Sequence, residues 1–110
     1  MVMNLPALIQ QEPAVMLLFG GAHCQVCQVI KPKIEALLAA DFPQVKLVYV
    51  DCGEQTDLCA QEGIFSLPVV RIYFAGQLTG EWVRTFSLGQ LADALARPYG
   101  LMFADADAVE

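Results

Sequence analysis

At 110 residues, 56% of them hydrophobic, the chain has the size of one domain and enough apolar material to bury a core without disulfide staples. Six basic residues against twelve acidic ones give a net charge of -6, which repels nucleic-acid phosphates and anionic membranes and leaves proteins or small molecules as partners. No apolar run approaches the roughly 20 residues of a bilayer-spanning helix, and the first twenty-one residues contain no Lys or Arg, so an export signal is not expected and a cytoplasmic location is.

Leu5 to Gln11 reads as a short helix with Pro6 in its first turn, where a missing N–H costs nothing. Val15 to Phe19 is a continuous apolar run before Gly20-Gly21, as in a strand buried on both faces. From Cys24 to Ala40, Val26, Ile30, Ile34, Leu37 and Leu38 recur at helical spacing, with Pro32 interrupting the pattern and predicting a kink. Val45 to Val50 is a second strand. A short helix from Thr56 or Asp57 to about Glu62 follows, with Gly63 at its end.

Pro68 opens a third strand, Val69 to Phe74, and Ala75-Gly76-Gln77 turns the chain into an antiparallel strand, Leu78 to Arg84. Ser87-Leu88-Gly89-Gln90 has the form of a capping box, and Leu88, Leu91, Ala92 and Leu95 form one apolar face before Arg97-Pro98 is expected to stop the helix. The order αβαβαββα predicts an α/β sandwich over residues 1–98. Residues 99–110, apolar and then acidic through Asp105, Asp107 and Glu110, read as a loosely ordered tail. The other reading of Tyr99, Leu101, Met102 and Phe103 is a docking patch.

Cys24 and Cys27 stand three residues apart where a strand gives way to a helix. A disulfide needs Cα atoms about 4.4 to 6.8 Å apart, which i and i+3 on a first helical turn provide. The free N–H groups and positive end of the helix would stabilise a Cys24 thiolate, and Cys27, one turn in, would be more buried and placed to resolve a mixed disulfide. Spacing alone leaves two other readings open: core thiols, or half of a metal site.

The strand VMLLF, the CQVC motif, Pro32 five residues after the second cysteine, the segment GIFSLPVV and the helix SLGQLADAL resemble the landmarks of the thioredoxin family in order and separation, over roughly Val15 to Arg97. The resemblance implies a thioredoxin-like fold with a central mixed four-stranded sheet flanked by helices, the extra first strand of many family members being absent. It implies thiol-disulfide exchange with protein substrates through Cys24 and Cys27, recharged by an electron-donating reductase, with no metal or organic cofactor. It also makes Pro68 a cis-proline against the disulfide, with the Leu67 backbone pairing with an extended substrate.

Several positions depart from the family pattern. His23 replaces the usual tryptophan and is expected to be a partly exposed turn residue; the alternative is that a protonated His23 favours the Cys24 thiolate. Gln25-Val26 replace Gly-Pro. The buried acid that helps deprotonate the second cysteine is Leu18, and the lysine usually paired with it is Leu47. Losing both is consistent, since an unpartnered buried charge is destabilising. Arg84 stands near where a glycine commonly flanks the substrate groove, and could select acidic partners or be a solvated edge charge.

Cys52 and Cys59 are seven residues apart. On one helix that would separate them by about 10.5 Å in rise, and two unbridged thiols are expected, with an auxiliary disulfide across the loop as an alternative. The pair lacks the close spacing of zinc knuckles. The leading function is therefore a protein-disulfide oxidoreductase. A redox-weak binding or chaperone-like module on the same fold and a cysteine-based metal-binding domain are the rivals.

Overall fold

The computed structural model describes residues 3–107 of the chain. In order the elements are α1 (Leu5–Gln11), β1 (Ala14–Gly20), α2 (Gln25–Asp41), β2 (Lys46–Asp51), α3 (Thr56–Gln61), β3 (Val69–Phe74), β4 (Gln77–Val83) and α4 (Leu88–Asp107). The predicted order αβαβαββα is the one observed, with boundaries within a residue or two everywhere except at the end of α4.

The four strands form one mixed sheet in the order β2-β1-β3-β4. β1 runs parallel to β2 and antiparallel to β3, and β3 pairs antiparallel with β4. Every residue of β1 is buried, because the strand is central and helices cover both of its faces. Ala14, Met16 and Leu18 point to a core shared with Ile34 and Leu38 of α2 and Leu91 and Leu95 of α4. Val15, Leu17 and Phe19 point the other way, toward Leu5 of α1 and Cys59 of α3. The continuous apolar run that suggested a doubly buried strand thus fills two cores at once.

Local chemistry sets the element ends. The Asn4 side chain accepts the Ala7 N–H at 3.1 Å and starts α1, with Pro6 in the first turn. The capping box predicted at α4 is made in both directions: Gln90 N–H donates to Ser87 Oγ at 3.1 Å, and Ser87 N–H donates to Gln90 Oε1 at 2.8 Å. α2 continues through Pro32.

The expectation that Arg97-Pro98 ends the last helix is corrected: α4 runs on through Pro98 to a kink at Phe103, whose backbone is non-helical (φ -117°, ψ 19°), and a last turn reaches Asp107. Proline forfeits one helical N–H, but burial beyond it offsets that loss. Tyr99 and Phe103 are buried in the α2/α4 core, Tyr99 meets Phe42 edge to face at 5.2 Å, and its hydroxyl accepts the Gln44 N–H at 3.1 Å. Leu101 and Met102 of the suggested docking patch remain exposed. Glu110, in the acidic end, lies outside the described residues.

On β3, Arg71 ties the sheet to the segment after α3. Its guanidinium donates to Glu81 Oε2 and Glu62 Oε1, each at 2.7 Å, and to the Glu62 carbonyl at 2.8 Å. Burial opposes the Arg71 charge, but the hydrogen bonds to Glu81 and Glu62 outweigh it and hold the group above its ordinary value.

Candidate active site

β1 ends at the C-terminal side of its own central position in the sheet, and the turn after it places Cys24 as the N-cap of α2. The Cys27 backbone N–H donates to Cys24 Sγ at 3.2 Å, one of the free N–H groups that a helix start offers to an anion. The turn itself is closed by Cys24 N–H on the Gly21 carbonyl at 3.1 Å and braced by the Gln28 side chain, which donates to the same carbonyl at 3.0 Å. Cys24 and Cys27 are joined by a disulfide with Cα atoms 5.2 Å apart. Their exposure differs: Cys24 is partly open, while Cys27 is 0% exposed.

An open cleft of about 420 Å³ lies over Cys24, walled by His23, Leu67 and, unexpectedly, Cys52. His23 is exposed at its rim. Leu67 is half-buried, Pro68 is buried, and the peptide bond between them is cis. Arg84 is exposed and is not among the residues lining this cleft. It reaches the site through its backbone, whose N–H donates to the Pro68 carbonyl at 2.7 Å. Arg84 has φ of +68°, the left-handed region that glycine occupies without cost.

The expectation of free thiols at Cys52 and Cys59 is corrected, since the two are bridged with Cα atoms 5.6 Å apart. The helical rise does not apply because Cys52 precedes α3 and the chain folds back between them. The Asp51 carboxylate accepts the Gly53 N–H at 2.8 Å and the Glu54 N–H at 3.3 Å, and the Asp51 carbonyl accepts the Gln55 N–H at 2.7 Å. That turn carries Cys59, 3% exposed, back under Cys52. Among the described residues no group of three or more His, Cys, Asp or Glu could hold a metal ion.

Leu18, at the position of the family's buried acid, is 0% exposed and lies opposite Tyr49 in the β1–β2 register. Leu47, one turn of the pleat away, packs against the same core. Sequence reasoning passed over Tyr49. Its ring tip and the Cys27 Cβ both border the space above Gly20, a placement fixed by strand register and invisible in spacing. The exposed apolar side chains Val26, Val29 and Phe65 lie on α2 and on the segment leading to Leu67.

The sequence profile described as Thioredoxin matches residues 3–97. Among curated proteins, the chain is 28% identical to a thioredoxin of Alicyclobacillus acidocaldarius, over 84% of this chain and 91% of that protein. It is 32% identical to a protein disulfide-isomerase of Humicola insolens over 59% of this chain, and 27% identical to a probable protein disulfide-isomerase ER-60 of Schistosoma mansoni over 72%. The chain spans only 13% and 17% of those two longer proteins. Among solved structures, a thioredoxin of Plasmodium falciparum superposes with a TM-score of 0.73 at 23% identity, covering 84% of this chain and 91% of that one; at that identity the likeness concerns the fold.

Proposed function

The chain belongs to the thioredoxin family, and from that premise we propose that it is a thiol-disulfide oxidoreductase acting on protein disulfides through Cys24 and Cys27. The observation that carries the reading is the asymmetry of the pair: a partly exposed sulfur at a helix N-terminus, accepting the Cys27 N–H at 3.2 Å, next to a fully buried one.

Cys24 thiolate attacks one sulfur of a substrate disulfide, forming a mixed disulfide and releasing the first substrate thiolate. Cys27 thiolate then attacks Cys24 Sγ, the bond from Cys24 to the substrate breaks, and the second substrate thiolate leaves. The Cys24–Cys27 disulfide so formed is returned to the dithiol by two electrons from a reductase. Leu67 and Pro68 hold the substrate backbone beside Cys24, His23 contacts it at the rim of the cleft, and Arg84 adds a positive charge near the Pro68 side. Net charge -6 supports protein partners over nucleic acid, and the reductase requirement favours a reducing compartment such as the cytoplasm. Among the described residues no helix is long and apolar enough to cross a membrane.

Insulin disulfide reduction tests the reading. The parent protein is expected to reduce insulin with dithiothreitol or a reductase as donor, Cys24→Ser to be inactive, and Cys27→Ser to accumulate a mixed disulfide. Parent activity no greater than that of Cys24→Ser would sink the proposal. That same result, with binding of a reduced peptide retained, would favour the second reading, a redox-weak binding module, for which the apolar Leu18 at the acid position is the supporting observation.

A further inference from the structure

Gly20 has no side chain because two neighbours use its space. A Cβ built there would lie 2.9 Å from both Cε1 and the hydroxyl oxygen of Tyr49 and 3.1 Å from Cys27 Cβ, too close for any larger residue without displacement. The tip of Tyr49 and the Cβ of Cys27 therefore border the same small space above the Gly20 backbone. The Tyr49 hydroxyl is buried and has no hydrogen-bond partner among the described residues. Buried hydroxyls are ordinarily partnered, and an exception calls for an explanation.

The surroundings hold the ring in place and contribute little else. Tyr49 stands opposite Leu18 on β1, and Lys31 Nζ of α2 lies 5.5 Å from its ring centroid while paired with Glu35. The nearest acid on its own strand, Asp51, turns its carboxylate to the Gly53 and Glu54 N–H groups. His23 is exposed at the cleft, and β1 presents only apolar residues and Gly20.

We propose that Tyr49 is the hydrogen-bond donor to the Cys27 thiolate, and so a positioning and activating residue for the resolving step; this rests on the oxidoreductase reading above. In the disulfide, the Cys27 sulfur is bonded to Cys24 and the hydroxyl has no acceptor. Reduction frees that sulfur, carried on the Cβ that shares the space over Gly20 with the hydroxyl. The phenol donates its hydrogen to the anion, which is stabilised by a charge-assisted bond. Cys27 releases its proton to solvent; when its thiolate attacks Cys24 Sγ, the bond from Cys24 to the substrate breaks and the departing substrate thiolate takes a proton from solvent, so that Tyr49 neither gains nor loses one. The polar group is thus supplied from β2, next to the apolar Leu18.

The test is Tyr49→Phe, which removes only an oxygen that the oxidised protein leaves unpartnered and so preserves the packing. In a Cys24→Ser background, where Cys27 titrates alone, thiolate ultraviolet absorbance at neutral pH is expected to fall about tenfold on Tyr49→Phe, the size of a hydrogen bond to an ionised group. With both cysteines intact, equilibration against glutathione is expected to shift toward the disulfide as pH is raised and the Cys27 thiolate becomes populated. Tyr73→Phe, a tyrosine on β3 in the other core, is expected to change neither.

A folded Tyr49→Phe protein, verified by circular dichroism, whose Cys27 absorbance and glutathione equilibrium both equal the parent's would overturn the inference. The two readings fail separately. Insulin reduction by the parent tests the oxidoreductase assignment, whereas the Cys27 titration reports on Tyr49 whether or not insulin is a substrate.

Discussion

Arg84 donates its backbone N–H to the carbonyl of Pro68 at 2.7 Å, and it does so from a left-handed conformation with φ of +68°. The hydrogen bond fastens the end of β4 to the residue that follows Leu67 in the cleft wall. For an L-residue with a long side chain that conformation is costly, by roughly 1 to 2 kcal/mol. Arg84→Gly is therefore expected to raise stability by up to about 1 kcal/mol, the rest being returned as unfolded-chain entropy. Urea unfolding of the two proteins measures it, and a destabilised glycine variant would contradict the strain argument. Catalysis should respond differently. If the Arg84 charge selects acidic substrates, the same variant loses rate on acidic peptides while its stability rises.

The Cys52–Cys59 bridge closes a short loop whose free ends would otherwise explore many arrangements. Loop-closure entropy for a ring of this size corresponds to about 2 to 3 kcal/mol. Cys52→Ala in the oxidised protein is expected to lower unfolding stability by about that amount. Under reducing conditions the parent and the variant should converge to within about 1 kcal/mol. A variant as stable as the oxidised parent would show that the bridge contributes nothing to the fold.

Tyr99 gives the end of the chain its structural weight. It is 6% exposed, meets Phe42 edge to face and Phe103 at a tilt, and accepts the Gln44 N–H. Tyr99→Ala is expected to cost about 3 kcal/mol, as for other buried aromatic truncations, read by denaturant unfolding. Deletion of everything after Pro98 should cost at least as much. A silent truncation would restore the view of this segment as a tail.

Arg71 has a pH signature that follows from the direction of its shift. Its charged form is held above the ordinary arginine value in the folded protein, so its contribution is complete at every pH below the unfolded value and is lost only as pH climbs through the higher folded one. Arg71→Met is expected to cost about 1 to 2 kcal/mol, allowing for the partial exposure of both carboxylates. The loss should be the same at neutral and moderately alkaline pH. Arg71→Lys should recover only part of it, because one ammonium cannot reproduce a planar fork that serves Glu62 and Glu81 together.

Much of this arrangement was legible in the residues, and the failures have physical causes. The doubly buried strand at Val15 to Phe19, the bounds of β3, the Ser87–Gln90 capping box and the placement of Cys24 at a helix start all follow from local patterns. Those patterns and the contacts that stabilise them lie in the same few residues. Pro98 misled because a helix-breaking signal is local while its compensation, Tyr99 against Phe42 and Gln44, spans 55 residues. Cys52 and Cys59 misled because their distance depends on a turn built by the Asp51 carboxylate, which linear spacing does not encode. Tyr49 carried no signal at all: its approach to Cys27 depends on the parallel register of β1 with β2 and on the space left at Gly20.

β1 is both the strand that delivers Cys24 and the most deeply enclosed segment of the molecule, buried along its whole length and hydrogen-bonded to a neighbour on either side. Its amide protons should be the last to exchange with solvent, at the rate of global unfolding. The sulfur chemistry is therefore anchored to the stiffest part of the chain. On the proposed function, accommodation of differently shaped substrates would fall to the opposite bank of the cleft, the loop from Ile64 to Leu67 with its exposed Phe65. One bank is the anvil, and the other does the adapting.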